Sequence, residues 1–192
     1  MDRLWSPWRL PYILSGGEAR GCVFCDPSAR FARSGQGPSA EQAVSTDSGP
    51  PLTEPDPAPF DQSTLIVFRG KTCYVILNLY PYNNGHLMVV PNRHIPSLAA
   101  ATHEELCELI ELTRFSEIAL TEAYSPQGIN MGINLGKPAG AGVLDHVHMH
   151  IVPRWAGDTS FMTVVGETRV LPEELPDTAQ KLRPIFERLA NA

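Results

Sequence analysis

The chain has 192 residues and a formal net charge of -6, with 43% hydrophobic and 19% charged residues. That is enough apolar material for one ordinary domain core, and the acidic balance excludes a basic nucleic-acid-binding surface as the default reading. No apolar run approaches the roughly 20 residues a bilayer span needs, and Met1 to Arg9 lacks the apolar core of a signal peptide. A cytoplasmic protein with no membrane and no nucleic-acid partner is expected.

In chain order, Cys22-Val23-Phe24-Cys25 comes first as a two-thiol half-site, suited to zinc and less to redox chemistry. Residues 26–62 follow, with seven of the 18 prolines, six acids against two arginines, and only Phe31, Val44, Leu52 and Phe60 as large aliphatic or phenyl side chains. Such a stretch cannot bury enough surface to offset its ordering entropy, so a disordered insertion is expected within a single domain spanning 1–192.

Beyond it the pattern becomes regular. Residues 64–68 and 73–78 are β-rich runs split by Arg69-Gly70-Lys71, which reads as a hairpin. A third strand is expected over 86–90, after the turn cluster Pro81-Tyr82-Asn83-Asn84-Gly85. Thr102-His103-Glu104-Glu105 is a capping box, and Leu106, Leu109, Ile110, Thr113 and Ile118 recur at helical spacing, so a helix is predicted over about 103–124. A fourth strand is expected over 129–134, then a loop with Gly136, Gly140 and Gly142, a fifth strand over 147–152, and weak helical character from 176 to 189. The sum is an α+β fold, an antiparallel meander with a helix across one face. Cys73 and Cys107 read as small buried hydrophobes, His103 as a solvated residue, and Lys137 and Arg154 as surface charges or phosphate contacts.

The densest chemical signal is His146-Val147-His148-Met149-His150-Ile151-Val152, where three of the six histidines alternate with apolar residues. On a strand such residues share a face. Alternating imidazoles can chelate a metal. A neutral imidazole is also a nucleophile toward phosphorus when its other nitrogen donates to a fixed acceptor. The glycine-rich loop that runs into this segment favours phosphate chemistry, because backbone N–H groups cradle phosphate oxygens.

These seven residues resemble the signature of the histidine-triad superfamily of nucleotide hydrolases and transferases. Leu77-Asn78-Leu79-Tyr80-Pro81-Tyr82-Asn83-Asn84-Gly85-His86-Leu87-Met88-Val89-Val90-Pro91, Asn134-Leu135-Gly136, Val152-Pro153-Arg154-Trp155 and Leu4-Trp5-Ser6-Pro7-Trp8-Arg9 extend the likeness toward the branch that contains bacterial diadenosine tetraphosphate phosphorylases. The resemblance implies that His148 attacks the α-phosphorus to give a nucleotidyl-histidine, with His150 and His86 flanking the phosphates. It implies that Asn78 binds ribose, that Asn134 with the Gly140 and Gly142 backbone holds phosphate or leaving group, and that the N-terminal arm lies near the base pocket. Trp5, Trp8 and Trp155 read first as packing residues, with stacking of Trp5 or Trp8 on adenine as the alternative. Phosphorolysis of a diadenosine polyphosphate is the leading expectation. Hydrolysis of a dinucleoside polyphosphate or nucleoside phosphoramidate comes next, and a non-catalytic nucleotide sensor is the rival from another class. The likeness also implies a structural zinc held by Cys22, Cys25, His94 and His146, and a homodimer. One departure stands out: where many relatives carry Ser, Thr or Gln shortly before the first triad histidine, this chain has Gly142 and Val143.

Overall fold

The structure, a computed structural model, describes residues 22–25, 65–158 and 173–192. The expected insertion at 26–62 and the segment carrying Trp5 and Trp8 lie outside the described residues.

Five strands form one antiparallel sheet: β1 (Ile66–Arg69), β2 (Cys73–Leu77), β3 (Leu87–Pro91), β4 (Gly128–Ile133) and β5 (Met149–Arg154). Two helices, α1 (His103–Tyr124) and α2 (Leu175–Ala190), complete the α+β architecture. The sheet order is β1-β2-β3-β5-β4, so it departs from a simple meander at one place. The chain makes β4 as an edge strand, then returns through the glycine loop and inserts β5 beside β3. Strands β2 and β3 are buried along their whole lengths, whereas β4 is mostly exposed. The inserted strand thus lies near the middle of the sheet, with Ile151 fully buried and Leu87 and Met131 as its partners.

The capping box forms as the sequence predicts. The Thr102 hydroxyl accepts the Glu105 N–H, and the Glu105 carboxylate accepts the Thr102 N–H. This satisfies two donors that a helix start otherwise leaves unpaired. Glu105 also pairs with Arg93 through Nε and Nη2, at 2.9 and 2.8 Å. The buried face of α1 is rotated from the predicted one. Leu109, Leu112, Phe115, Ala119 and Leu120 line the core, and Ile110 is 60% exposed. Helix α1 packs across β2, β3 and β5, and α2 packs on α1 and β1. Phe186 and Leu182 of α2 are fully buried there.

A second anchor fixes the β1–β2 turn. The Glu108 carboxylate accepts the backbone N–H groups of Lys71, Thr72 and Cys73 and the Thr72 hydroxyl. Burial raises its pKa, but these donors outweigh that effect and the net shift is downward. Gly70 is required beside it, because a Cβ there would come within 2.5 Å of the carboxylate oxygen. Cys73 is buried as expected, and burial pushes its thiol up to about 11. Cys107 differs from expectation. It is exposed on α1, 3.5 Å from His103 Nε2 one turn earlier, because its position falls on the solvent side of the rotated helix face.

Candidate active site and metal cluster

The histidine segment is only partly strand. Pairing in β5 begins at Met149, so His150 alone of the three lies on it. His146 lies in a bend and His148 in the irregular chain just before β5, anchored by the Val147 N–H to the Ile95 carbonyl at 2.7 Å. The alternation still holds. Val147 and Ile151 are buried opposite, and the rings of His148 and His150 meet edge-on at 4.7 Å.

The three imidazoles have different partners, and these fix three proton arrangements. His146 Nε2 lies 2.9 Å from the Pro91 carbonyl. A carbonyl only accepts, so Nε2 carries the hydrogen and Nδ1 has the lone pair. That Nδ1 faces Cys22 Sγ at 3.3 Å and Cys25 Sγ at 3.5 Å. His148 has the opposite tautomer: its Nδ1 donates to the His146 carbonyl at 2.9 Å, which leaves the lone pair on Nε2. His150 Nδ1 lies 3.0 Å from His86 Nε2. His86 Nδ1 in turn accepts the Tyr82 backbone N–H at 3.0 Å. His86 therefore holds its hydrogen on Nε2 and gives it to His150 Nδ1, so neutral His150 carries a hydrogen on Nε2.

His86 is fully buried, with Tyr82 stacked on it at 4.9 Å. The preceding Gly85 is at φ +74°, and a Cβ would meet Leu120 at 3.0 Å, which explains glycine in this Asn-Gly-His turn. Asn83 ties the turn to the Pro153 carbonyl and to Asp158. Asn84 reaches Glu173, which also accepts from Thr178, Lys181 and Tyr124.

The remaining predicted residues fall around this core. Asn78 stands at the end of β2; its Oδ1 accepts the Tyr80 N–H, and its amide nitrogen lies 3.3 Å from His86 Nδ1. Asn134 follows β4. Gly140 sits at φ +90°, and its N–H closes a short 3-10 turn on the Lys137 carbonyl. Gly142 is in the loop that leads into His146. Arg154 is paired with Asp158 and bonded to Asn130, and His103 is exposed.

Cys22, Cys25, His94 and His146 form one cluster, with their ligand atoms all within 4.8 Å of one another. Cys25 Sγ lies 3.3 Å from His94 Nδ1. Four ligands at about 2.0–2.3 Å in a tetrahedron stand roughly 3.3–3.8 Å apart, so these spacings suit a small tetrahedral metal. The Pro91 carbonyl behind His146 is the outer acceptor such ligands usually have. Burial raises the Cys22 pKa, and the Phe24 and Cys25 backbone N–H groups draw it the other way. Burial and the neighbouring Cys22 raise that of Cys25.

Sequence reasoning did not single out Phe24 or the Tyr82 main chain. Phe24 offered one signal, an apolar residue between two candidate ligands. A backbone donor offers none.

The HIT domain model matches residues 60–157. Over 182 residues, 95% of this chain, the sequence is 40% identical to the AP-4-A phosphorylase of Mycobacterium tuberculosis, of which it covers 83%. It is 32% identical over 133 residues to a bis(5'-adenosyl)-triphosphatase of Dictyostelium discoideum, covering 66% of this chain and 88% of that protein. A zinc-bound histidine triad family protein from Mycobacterium smegmatis matches with a TM-score of 0.54 and 27% identity, over 66% of this chain and 86% of that one. Triad, sheet order and these likenesses agree, and the chain belongs to the HIT family.

Proposed function

We propose that this protein is a nucleotidyl transferase that splits diadenosine polyphosphates by phosphorolysis, with His148 as the nucleophile. The observation that carries the reading is the 2.9 Å bond from His148 Nδ1 to the His146 carbonyl, which puts the reactive lone pair on Nε2. The name of the M. tuberculosis relative supports the substrate class and the acceptor.

The steps follow from the tautomers. His148 Nε2 attacks the α-phosphorus of diadenosine tetraphosphate, the bond to the bridging oxygen breaks, and ATP leaves. The Nε2–H of His150, held in that form through His86 and Tyr82, faces developing negative charge on the phosphate or leaving oxygen. Inorganic phosphate then attacks the nucleotidyl-histidine, the P–N bond breaks, and its electron pair returns to His148 as ADP departs. Two simpler displacements replace one difficult one. Asn78, Asn134 and the Gly140–Gly142 loop supply polar groups for ribose and phosphate.

In this reading the Cys22, Cys25, His94 and His146 cluster holds a structural zinc, as the donor set and spacings favour. Zinc bound there ties the N-terminal turn to the histidine segment and keeps His146 out of the phosphate site. The described cysteines are all free thiols, which suits a reducing cytoplasm. No described helix is long and apolar enough to cross a membrane. The exposed β4 edge, with Met131 41% exposed, supports a homodimer joined along that strand.

Turnover of diadenosine tetraphosphate, measured with and without inorganic phosphate, tests the reading. It predicts ADP and ATP formed only when phosphate is present. AMP formed at the same rate without phosphate replaces phosphorolysis with hydrolysis. Binding with no turnover makes the protein a sensor.

A further inference from the structure

We propose that Phe24 is a positioning residue for His148, so that the Cys22–Cys25 turn holds the nucleophile's ring as well as a metal. The inference rests on the proposed role of His148 and assigns a residue that role does not require.

Phe24 lies between the two cysteines of a tight turn closed by the Cys25 N–H on the Cys22 carbonyl at 3.1 Å. A residue at such a place is normally free to face solvent, yet Phe24 is 7% exposed. Its ring turns inward and touches two members of the triad. It meets His146 edge-on, with centroids 5.4 Å apart and planes at 74°. It meets His148 at 4.9 Å and 50°. Both lie in the range of favourable aromatic pairs. The backbone is held from the opposite side, where the Tyr74 hydroxyl of β2 donates to the Phe24 carbonyl at 2.9 Å.

The described anchor of His148 at Nδ1 is one hydrogen bond, and a single hydrogen bond tolerates tens of degrees of misalignment. In-line attack at phosphorus demands tighter aim, and a misplacement of about 1 Å can cost about a hundredfold in rate. Ring contacts restrict the tilt that the hydrogen bond leaves open. Among the described contacts, His150 provides one, edge-on at 4.7 Å, and Phe24 provides another. Because Phe24 is fixed by the residues on either side of it, metal occupancy of the cluster and the aim of Nε2 become linked through one side chain.

The test is rapid-quench measurement of adenylyl-His148 formation from diadenosine tetraphosphate in a single turnover, with metal content and substrate affinity determined on the same samples. Phe24→Leu keeps most of the apolar volume but removes the ring. The inference predicts adduct formation slowed about 10- to 30-fold, with affinity and metal content within about twofold of the unaltered chain. Tyr74→Phe releases the Phe24 carbonyl without disturbing the core, and predicts a change of about threefold in the same direction. A Phe24→Leu protein that forms the adduct at the unaltered rate overturns the inference. So does one whose slower rate comes with lost metal or lost affinity, since Phe24 is then a folding residue only. If Phe24→Leu does not fold, Tyr74→Phe decides, and an unchanged rate overturns it. An unaltered chain that forms no adduct overturns the reading of His148 itself.

Discussion

The two ends of the histidine triad have the same sequence pattern and opposite surroundings. At one end, His146 presents Nδ1 to two thiols and a second histidine, with its other nitrogen on the Pro91 carbonyl. At the other, His150 Nδ1 meets the His86 ring, which is itself held by the Tyr82 main chain. His148 stands between them and takes its tautomer from the His146 carbonyl. Alternation supplies three rings on one face. What each ring does is set by the partner behind it: a neighbouring carbonyl for His148, and groups from distant parts of the chain for His146 and His150.

The difference can be broken most sharply at the His150 end. His86→Ala removes the donor that fixes the His150 tautomer, and kcat is expected to fall about a hundredfold with KM little changed. Steady-state kinetics checks this, and an effect confined to KM would place His86 in binding. At the His146 end, Cys22→Ser is expected to lower metal affinity at least about tenfold. The thermal midpoint should fall, and residual turnover should follow metal content, read by elemental analysis and calorimetry. A variant that loses metal but keeps full stability would deny the cluster its structural role.

The frame beneath both ends gives smaller effects. Glu108→Gln replaces one of the two accepting oxygens by an NH2 and so leaves at least one N–H of the β1–β2 turn without an acceptor, which costs about 1–3 kcal/mol in denaturant unfolding and should leave kcat unchanged. The smallest effect belongs to Glu105, which holds Arg93, the neighbour of His94 in the Cys22–Cys25–His94–His146 cluster. The Arg93 guanidinium, together with the Thr102 N–H, holds its carboxyl down at about 2. A carboxyl whose folded pKa lies below its unfolded value, about 4.3, stabilises the fold above that value. The gain is lost as pH falls toward the folded one. The stability gap between the unaltered chain and Glu105→Gln should therefore be fully open near neutral pH and close as the pH falls toward about 2. A gap constant across that range would mean that the ion pair contributes nothing.

Much of this frame was legible in the sequence because its signals are local. The Thr102–Glu105 box starts α1 where spacing placed it, and helix α1 ends at Tyr124 as predicted. The histidine alternation and the Asn-Gly-His turn pointed to side chains that do meet, His86 with His150 and His150 with His148, and the four cluster residues that the family resemblance implied also come together. The unread features depend on distant parts of the chain. Insertion of β5 between β3 and β4 is a pairing choice that no local pattern encodes. Ile110 and Cys107 were misplaced because α2 and the sheet, rather than helix periodicity alone, select the buried face of α1. The Tyr82 donor was invisible because a backbone N–H has no residue type, and Phe24 because the two histidine rings it meets are over a hundred positions away.

The central claim is that His148 forms the covalent bond to the nucleotide. Acid-sensitive P–N adducts survive an alkaline quench, so the direct measurement is peptide mapping of protein quenched during turnover of diadenosine tetraphosphate. The account predicts an adenylyl group on the peptide carrying His146, His148 and His150, localised to His148 by fragmentation and absent in His148→Ala. An adduct on His150 or His86, or steady turnover by His148→Ala with no adduct, would contradict it.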